Sequence, residues 1–114
     1  MVRKEYVTEK REHMRDGAGT VTINNWLAAE EKFPNLRLAA KLELPPGASI
    51  GEHTHEGESE VFNIVAGSGE YDDNGKKVNV GPGDVMVCYS GDAHSIKNIG
   101  DETLIINAVI VTGG

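Results

Sequence analysis

His53 and His55 stand two residues apart, and Glu60 follows after a short glycine-containing stretch. On a β-strand, side chains alternate between faces, so residues 53 and 55 share one face, roughly 6.5 Å apart along the backbone. Two imidazoles so placed converge on one metal ion at about 2.0–2.1 Å each. Glu60 follows a turn at Gly57 and opens the next strand, so a hairpin return brings its carboxylate beside the rings. His94 begins a later strand after its own glycine turn. In a closed barrel, all four side chains point into one lumen. Three imidazoles and one carboxylate leave one or two positions open for water or substrate on a five- or six-coordinate ion. That donor set suits Mn or Fe, and also Zn, Ni or Co. A His-X-His in an exposed turn among glutamates can also be a plain acidic surface. The strand context, with Glu60 and His94 added, favours the metal.

The flanking residues sort around this centre. Glu60 shares its strand parity with Phe62 and Ile64, which are expected to face inward. Glu52 and Glu58 read as out of phase, and with Glu56 they are expected to form an acidic rim that attracts cations. His13 lies among charges and reads as solvated. Cys88 sits among Val85, Met86 and Val87 and reads as a buried, inert thiol. Asn98 is expected to brace a turn or a ligand histidine, since ligating imidazoles donate their second N–H to some acceptor. The only arginines are Arg3, Arg11, Arg15 and Arg37. An enzyme acting on a dianion would profit from an arginine gripping the second carboxylate. Arg37 is the candidate if its face is the lumen, although a surface position is the stronger expectation; Lys41 and Lys97 are weaker alternatives. No lid segment with a free acid–base carboxylate is evident, and no catalytic residue is assigned.

Composition narrows the setting. The 114 residues suffice for one domain, and the net charge is −7. An acidic chain is a poor partner for nucleic acid or an anionic membrane. The acidity is local: residues 47–114 carry 11 acids against Lys76, Lys77 and Lys97, whereas residues 1–46 carry 8 basic and 7 acidic side chains. One cysteine excludes an intrachain disulfide framework and a multi-cysteine zinc site. The N-terminus shows no apolar export signal, which points to a cytoplasmic location.

Short strands must position the site. Residues 1–18 are charged and weakly periodic, and read as an N-terminal arm that a partner subunit would order in part. The domain is expected over 19–114. Thr20–Ile23 alternates, and residues 25–32 could form a helical turn or two before Pro34. Leu36 to Leu44 alternates with one apolar face. Strands follow at 60–66, 70–71, 77–80, 85–89, 94–98 and 104–111. Asn74-Gly75 supplies the positive φ angles of a tight hairpin. Such spacing predicts an all-β sandwich or barrel. The expected core comprises Leu36, Leu38, Ala40, Leu42, Phe62, Ile64, Val78, Val80, Val85, Val87, Ile106, Ala108 and Ile110. Trp26 and Phe33 are read as core or dimer contacts. A small open barrel exposes strand edges, so a C2 homodimer is expected.

These residues carry a family resemblance. The stretch Gly47-X5-His53-X-His55-X4-Glu60-X6-Gly67 resembles the first motif of the cupin superfamily. Gly83-X7-Gly91-X2-His94-X3-Asn98 resembles the second, with Tyr89 where that motif usually has proline. More narrowly, the chain is similar to small single-domain bacterial cupins of the conserved-barrel type, including oxalate decarboxylase-like proteins. The resemblance implies an all-β jelly-roll barrel, a double-stranded β-helix, with metal-ligand roles for His53, His55, Glu60 and His94. The superfamily hosts decarboxylases, dioxygenases, isomerases and non-catalytic binders, so the reaction stays open. The expectation is a metal-dependent enzyme that takes a small carboxylate, keto acid or polyol through oxygen, as a decarboxylase, dioxygenase or isomerase. The alternative is a binding module without chemistry.

Overall fold

The computed structural model describes residues 1–113 as two antiparallel sheets in the jelly-roll manner. Ten strands follow in order: β1 (Val7–Glu12), β2 (Thr20–Asn25), β3 (Leu36–Leu44), β4 (Ser49–Thr54), β5 (Glu58–Ala66), β6 (Gly69–Asp73), β7 (Lys76–Val80), β8 (Val85–Cys88), β9 (Ala93–Asn98) and β10 (Leu104–Thr112). One sheet has the order β1-β2-β3-β10-β5-β8, and the other β4-β9-β6-β7. No helix among the described residues is long and apolar enough to cross a membrane. The helical turn expected at 25–32 is reduced to a 3-10 turn at Ala29–Glu31, because Asn25 is already committed to β2.

Alternation builds the core. Leu42 and Leu44 of β3, Phe62 and Ile64 of β5, Ile96 of β9 and Ile106 and Ala108 of β10 all turn inward and are buried. Four expected core residues are corrected. Val78 and Val85 are exposed, and Leu36 and Val87 are half-buried outside the core cluster. β8 turns Met86 and Cys88 inward instead, opposite Phe62 and Glu60 of β5. The run Val85-Met86-Val87-Cys88 is apolar on both faces, so hydrophobicity does not reveal its parity. Val78 lies on β7, the last strand of its sheet.

Two local features set up the site. Asn74 (φ 51°) and Gly75 (φ 93°) close the β6–β7 hairpin in the left-handed region, as Asn-Gly favours. β4 pairs with β9, but the register shifts between Ile50 and His53. That irregularity re-aims the strand and sets His53 directly opposite His94.

The segment ahead of residue 19 forms β1, which pairs in register with β2 of the same chain. After β1 the chain makes a 3-10 turn at Met14–Asp16 that lies against β4. This contact is backbone on backbone. A Cβ on Gly51 would lie 1.9 Å from the Arg15 carbonyl oxygen, so only glycine permits the approach.

Candidate metal centre

Three strands and one loop bring the donors together. His53 comes from β4, His94 from β9 and Glu60 from β5, while His55 lies just past β4. The His55 loop is pinned to the 89–92 turn: His55 N–H donates to the Asp92 carbonyl at 3.1 Å, and Gly91 N–H donates to the His55 carbonyl at 2.6 Å. Tyr89 N–H is itself used, accepted by Asp92 Oδ2 at 3.3 Å, a bond that proline at this position would lack.

The Nε2 atoms of His53 and His55 are 3.1 Å apart, those of His55 and His94 3.0 Å, and those of His94 and His53 3.1 Å. Glu60 Oε1 lies 3.0 Å from His55 Nε2 and 3.1 Å from His94 Nε2. All four donor atoms fall within 4.8 Å of one another. His55, Glu60 and His94 are buried, and His53 is half-buried.

The other face of each ring is occupied. His53 Nδ1 donates to the Gly51 carbonyl at 2.8 Å. His55 Nδ1 donates to Glu58 Oε1 at 2.8 Å. His94 Nδ1 and the Tyr71 hydroxyl are hydrogen-bonded at 2.9 Å, and Phe62 stacks on the His94 ring at 5.1 Å between centroids. A carbonyl and a carboxylate only accept, so they assign the proton to Nδ1 of His53 and His55. Their Nε2 lone pairs then face one another and the Glu60 carboxylate with no proton between them. Converging lone pairs of this kind repel unless a cation sits among them. The donor set therefore fits a divalent ion.

Burial is the main influence that pushes the His53 pKa below its ordinary value, and the neighbouring imidazoles and Arg15 push the same way. The neutral, ligating form is thus favoured. For Glu58, burial pushes the pKa up, but the hydrogen bonds from Arg37 and His55 outweigh it and leave the carboxyl below its usual range. Burial, then the charges of Asp92, Glu60 and Asp73, push the Cys88 thiol up to about 11. It is an inert thiol, donating to the Asp92 carbonyl at 3.4 Å.

One supporting residue departs from the sequence reading, and another takes one of its two expected roles. Glu58 is not part of an acidic rim. It lies two positions from Glu60, so it shares the inward face, is 7% exposed, and links Arg37 to His55. Glu52 and Glu56 do lie on the surface. Asn98 braces the turn after β9 and not a ligand histidine: it donates to the Leu44 and Glu102 carbonyls and accepts from Gly100 N–H. Tyr71 takes the place beside His94, and no local pattern marked it. A signal for Glu58 was present in its parity and in the need of every ligating imidazole for a second partner.

Beside the donors lies a cavity of about 390 Å³. Its deep wall is apolar, with Ile23, Leu38, Leu42, Ile50, Phe62 and Ile110. Its outer lining is cationic, with Arg11, Arg15, Lys32 and Arg37. Arg37 is both exposed and on the cavity lining, paired with Glu58. His13 is exposed and outside this lining.

Residues 40–111 match the cupin domain family. An oxalate-binding protein of Thermotoga maritima is 43% identical over 112 residues, spanning 97% of this chain and 93% of the relative. A crystal structure from Thermotoga maritima, described as that of a predicted oxalate decarboxylase, superposes with a TM-score of 0.92 at 41% identity, covering 98% of this chain and 99% of that one. The cupin domain of Schizosaccharomyces pombe Cnp3 has a TM-score of 0.73 at 17% identity, covering 96% of this chain and 89% of that one, a likeness of fold alone. With the motif-bearing strands matched and a close relative aligned over nearly its whole length, this chain belongs to the cupin family.

Proposed function

We propose that this cupin binds one divalent metal ion through His53, His55, Glu60 and His94, and uses it to take up a small carboxylate. The observation that carries the reading is the set of Nε2 lone pairs meeting at 3.0–3.1 Å while the Nδ1 positions are spoken for. Right-angle ligation at about 2.1–2.2 Å reproduces those separations, whereas tetrahedral zinc at its usual bond lengths needs about 3.3–3.4 Å between ligands. The spacing supports Mn or Fe, with Ni or Co next, over tetrahedral Zn. When bound, the ion supplies Lewis acidity and open positions for carboxylate oxygen.

The protein's own groups do the rest. Glu58 and the Gly51 carbonyl hold His55 and His53 in the ligating tautomer. Phe62 and Tyr71 fix the His94 ring. The apolar wall excludes water, and the cationic lining draws anions in. The Thermotoga maritima relative, named for oxalate binding, supports oxalate as a ligand. Among the described residues, the carboxylates on the cavity lining are Glu60 and Glu9, and Glu9 is paired with Arg11 at 3.1 Å. Among them no free acid–base group faces the deep wall, which favours binding over turnover.

The test is elemental analysis of the purified chain, followed by calorimetric titration with oxalate. About one divalent ion per chain is expected, with oxalate heat in the loaded protein and none after chelation. Failure to take up Mn, Fe, Co, Ni or Zn would sink the reading. Carbon dioxide release from oxalate would replace the binder with a decarboxylase.

The homodimer belongs to the same proposal. β1 is an edge strand with all six residues exposed. On the outer face of the same sheet Val61, Val85 and Val111 are exposed, and Val61 lies between Val109 and Val87. A second copy would cover such a face. Phe33 is exposed and Trp26 half-buried, which suits contact better than core. Sedimentation equilibrium giving only the 12.3 kDa monomer would end this part.

A further inference from the structure

Four cations line the cavity beside the metal centre, and three are already engaged. Arg37 pairs with Glu58, Arg11 pairs with Glu9 at 3.1 Å, and Lys32 Nζ donates to the Arg37 carbonyl at 2.9 Å. Among the described residues, the Arg15 guanidinium has no ion pair and no hydrogen-bond partner. A free guanidinium on the lining of a cavity that also holds His53, His55 and Glu60 is a ready receptor for an anion.

The backbone places Arg15 there against its own preferences. His13 (φ 51°), Arg15 (φ 55°) and Asp16 (φ 62°) are all left-handed, although none is glycine. Such conformations persist only where the surroundings enforce them, and they gather at functional sites. The enforcing contacts come from β4. A Cβ on Gly17 would lie 2.2 Å from the Ser49 carbonyl oxygen, and one on Gly51 would lie 1.9 Å from that of Arg15. Ser49 Oγ accepts from Ala18 N–H at 2.8 Å, and Ser49 N–H donates to the Ala18 carbonyl at 2.9 Å. Gly51 has a second task, because its carbonyl accepts from His53 Nδ1 at 2.8 Å. One strand position therefore seats Arg15 and orients a metal-site histidine.

We propose that Arg15 anchors the outer carboxylate of a small dicarboxylate whose inner carboxylate sits at the His53–His55–Glu60–His94 centre. This rests on the metal-dependent carboxylate binding proposed above and names its ligand class, a compact dianion such as oxalate or malonate. The planar guanidinium offers two parallel N–H donors to a carboxylate, which lysine cannot match. The apolar deep wall supplies no competing donor. Arg15 lies outside residues 40–111, so selectivity for dianions comes from the N-terminal segment and not from the cupin motifs.

The test uses the full chain loaded with manganese and titrated with oxalate, malonate and acetate. Arg15→Gln should weaken oxalate and malonate by about 10–100-fold and leave acetate affinity within about twofold. Manganese content should stay the same, and Arg15→Lys should recover part of the loss. An equal loss for acetate, or no loss for the dicarboxylates, would overturn the inference while leaving the metal-dependent reading intact. Loss of manganese from Arg15→Gln would make Arg15 a support of the centre and would also overturn it. A wild-type loaded chain that binds none of the three carboxylates would fail the metal-dependent reading itself, and this inference with it. The Arg15 side chain is exposed and unpartnered, so neither variant threatens the fold.

Discussion

Glu58→Ala tests how the centre is held. The Glu58 carboxylate is 7% exposed and accepts from His55 Nδ1 at 2.8 Å, while His55 is 2% exposed. Removing the acceptor strands a buried N–H, at a cost of about 1–3 kcal/mol. It also frees the His55 ring to turn or to change tautomer. Since the ligating form needs the proton on Nδ1, that cost falls on metal affinity. About 10–100-fold weaker binding is expected, in line with the loss when such outer partners are removed. Glu58→Gln keeps an acceptor oxygen but loses the charge, so about a tenfold loss or less is expected. Arg37→Met should matter less. The Arg37 side chain is 50% exposed, so water screens its pairing with Glu58 and the effect stays under about 1 kcal/mol. Chelator competition on folded protein measures all three. The decisive step is Glu58→Ala in a His55→Ala background, where it should cost no further metal affinity. A full, additive loss there would show that Glu58 does not act through His55. Wild-type affinity in folded Glu58→Ala would refute the reasoning outright.

Three further outcomes follow from the same geometry. Tyr71→Phe leaves His94 Nδ1 buried without its partner at 2.9 Å, so metal affinity should drop by about three- to tenfold, read by the same competition; an unchanged affinity would show that Phe62 stacking alone fixes the ring. The His53 pKa lies below 6.5 in the folded chain, so protonation favours the unfolded state, and the metal-free protein should lose stability as pH falls from about 6.5 through the folded value. Glu58 adds a separate loss below 4.5, and metal should suppress the first, since it binds neutral imidazole; thermal melts of chelated and loaded protein between pH 7 and 4 compare them. Gly51→Ala drives a Cβ to 1.9 Å from the Arg15 carbonyl, so a destabilisation of about 1–3 kcal/mol is expected in denaturant titration, and a neutral result would contradict the close packing of the 13–17 turn on β4.

Much of the barrel was legible because its signals are local. β3 and β10 alternate or run apolar over nine residues each, and Asn74-Gly75 marks its own hairpin. β8 shows the limit. Four apolar residues fit either face, and only pairing with β5 turned Met86 and Cys88 inward. β1 was less legible still. All six of its residues are exposed, so no burial pattern announces it, and its strand character comes from the ladder with β2.

By itself the sequence singled out the four candidate donors. His-X-His on one strand face, a glutamate past a glycine turn and a histidine opening a later strand are type and spacing, which a chain states directly. The tertiary structure decided everything that makes those donors a centre. The β4 irregularity set His53 opposite His94, and strand order brought Tyr71 to one ring and Arg37, through Glu58, to another. A backbone contact at Gly51 placed Arg15 on the cavity lining. These are encounters between residues far apart in the chain. They depend on register and on which backbones touch, and neither is written in the residues near any one of them.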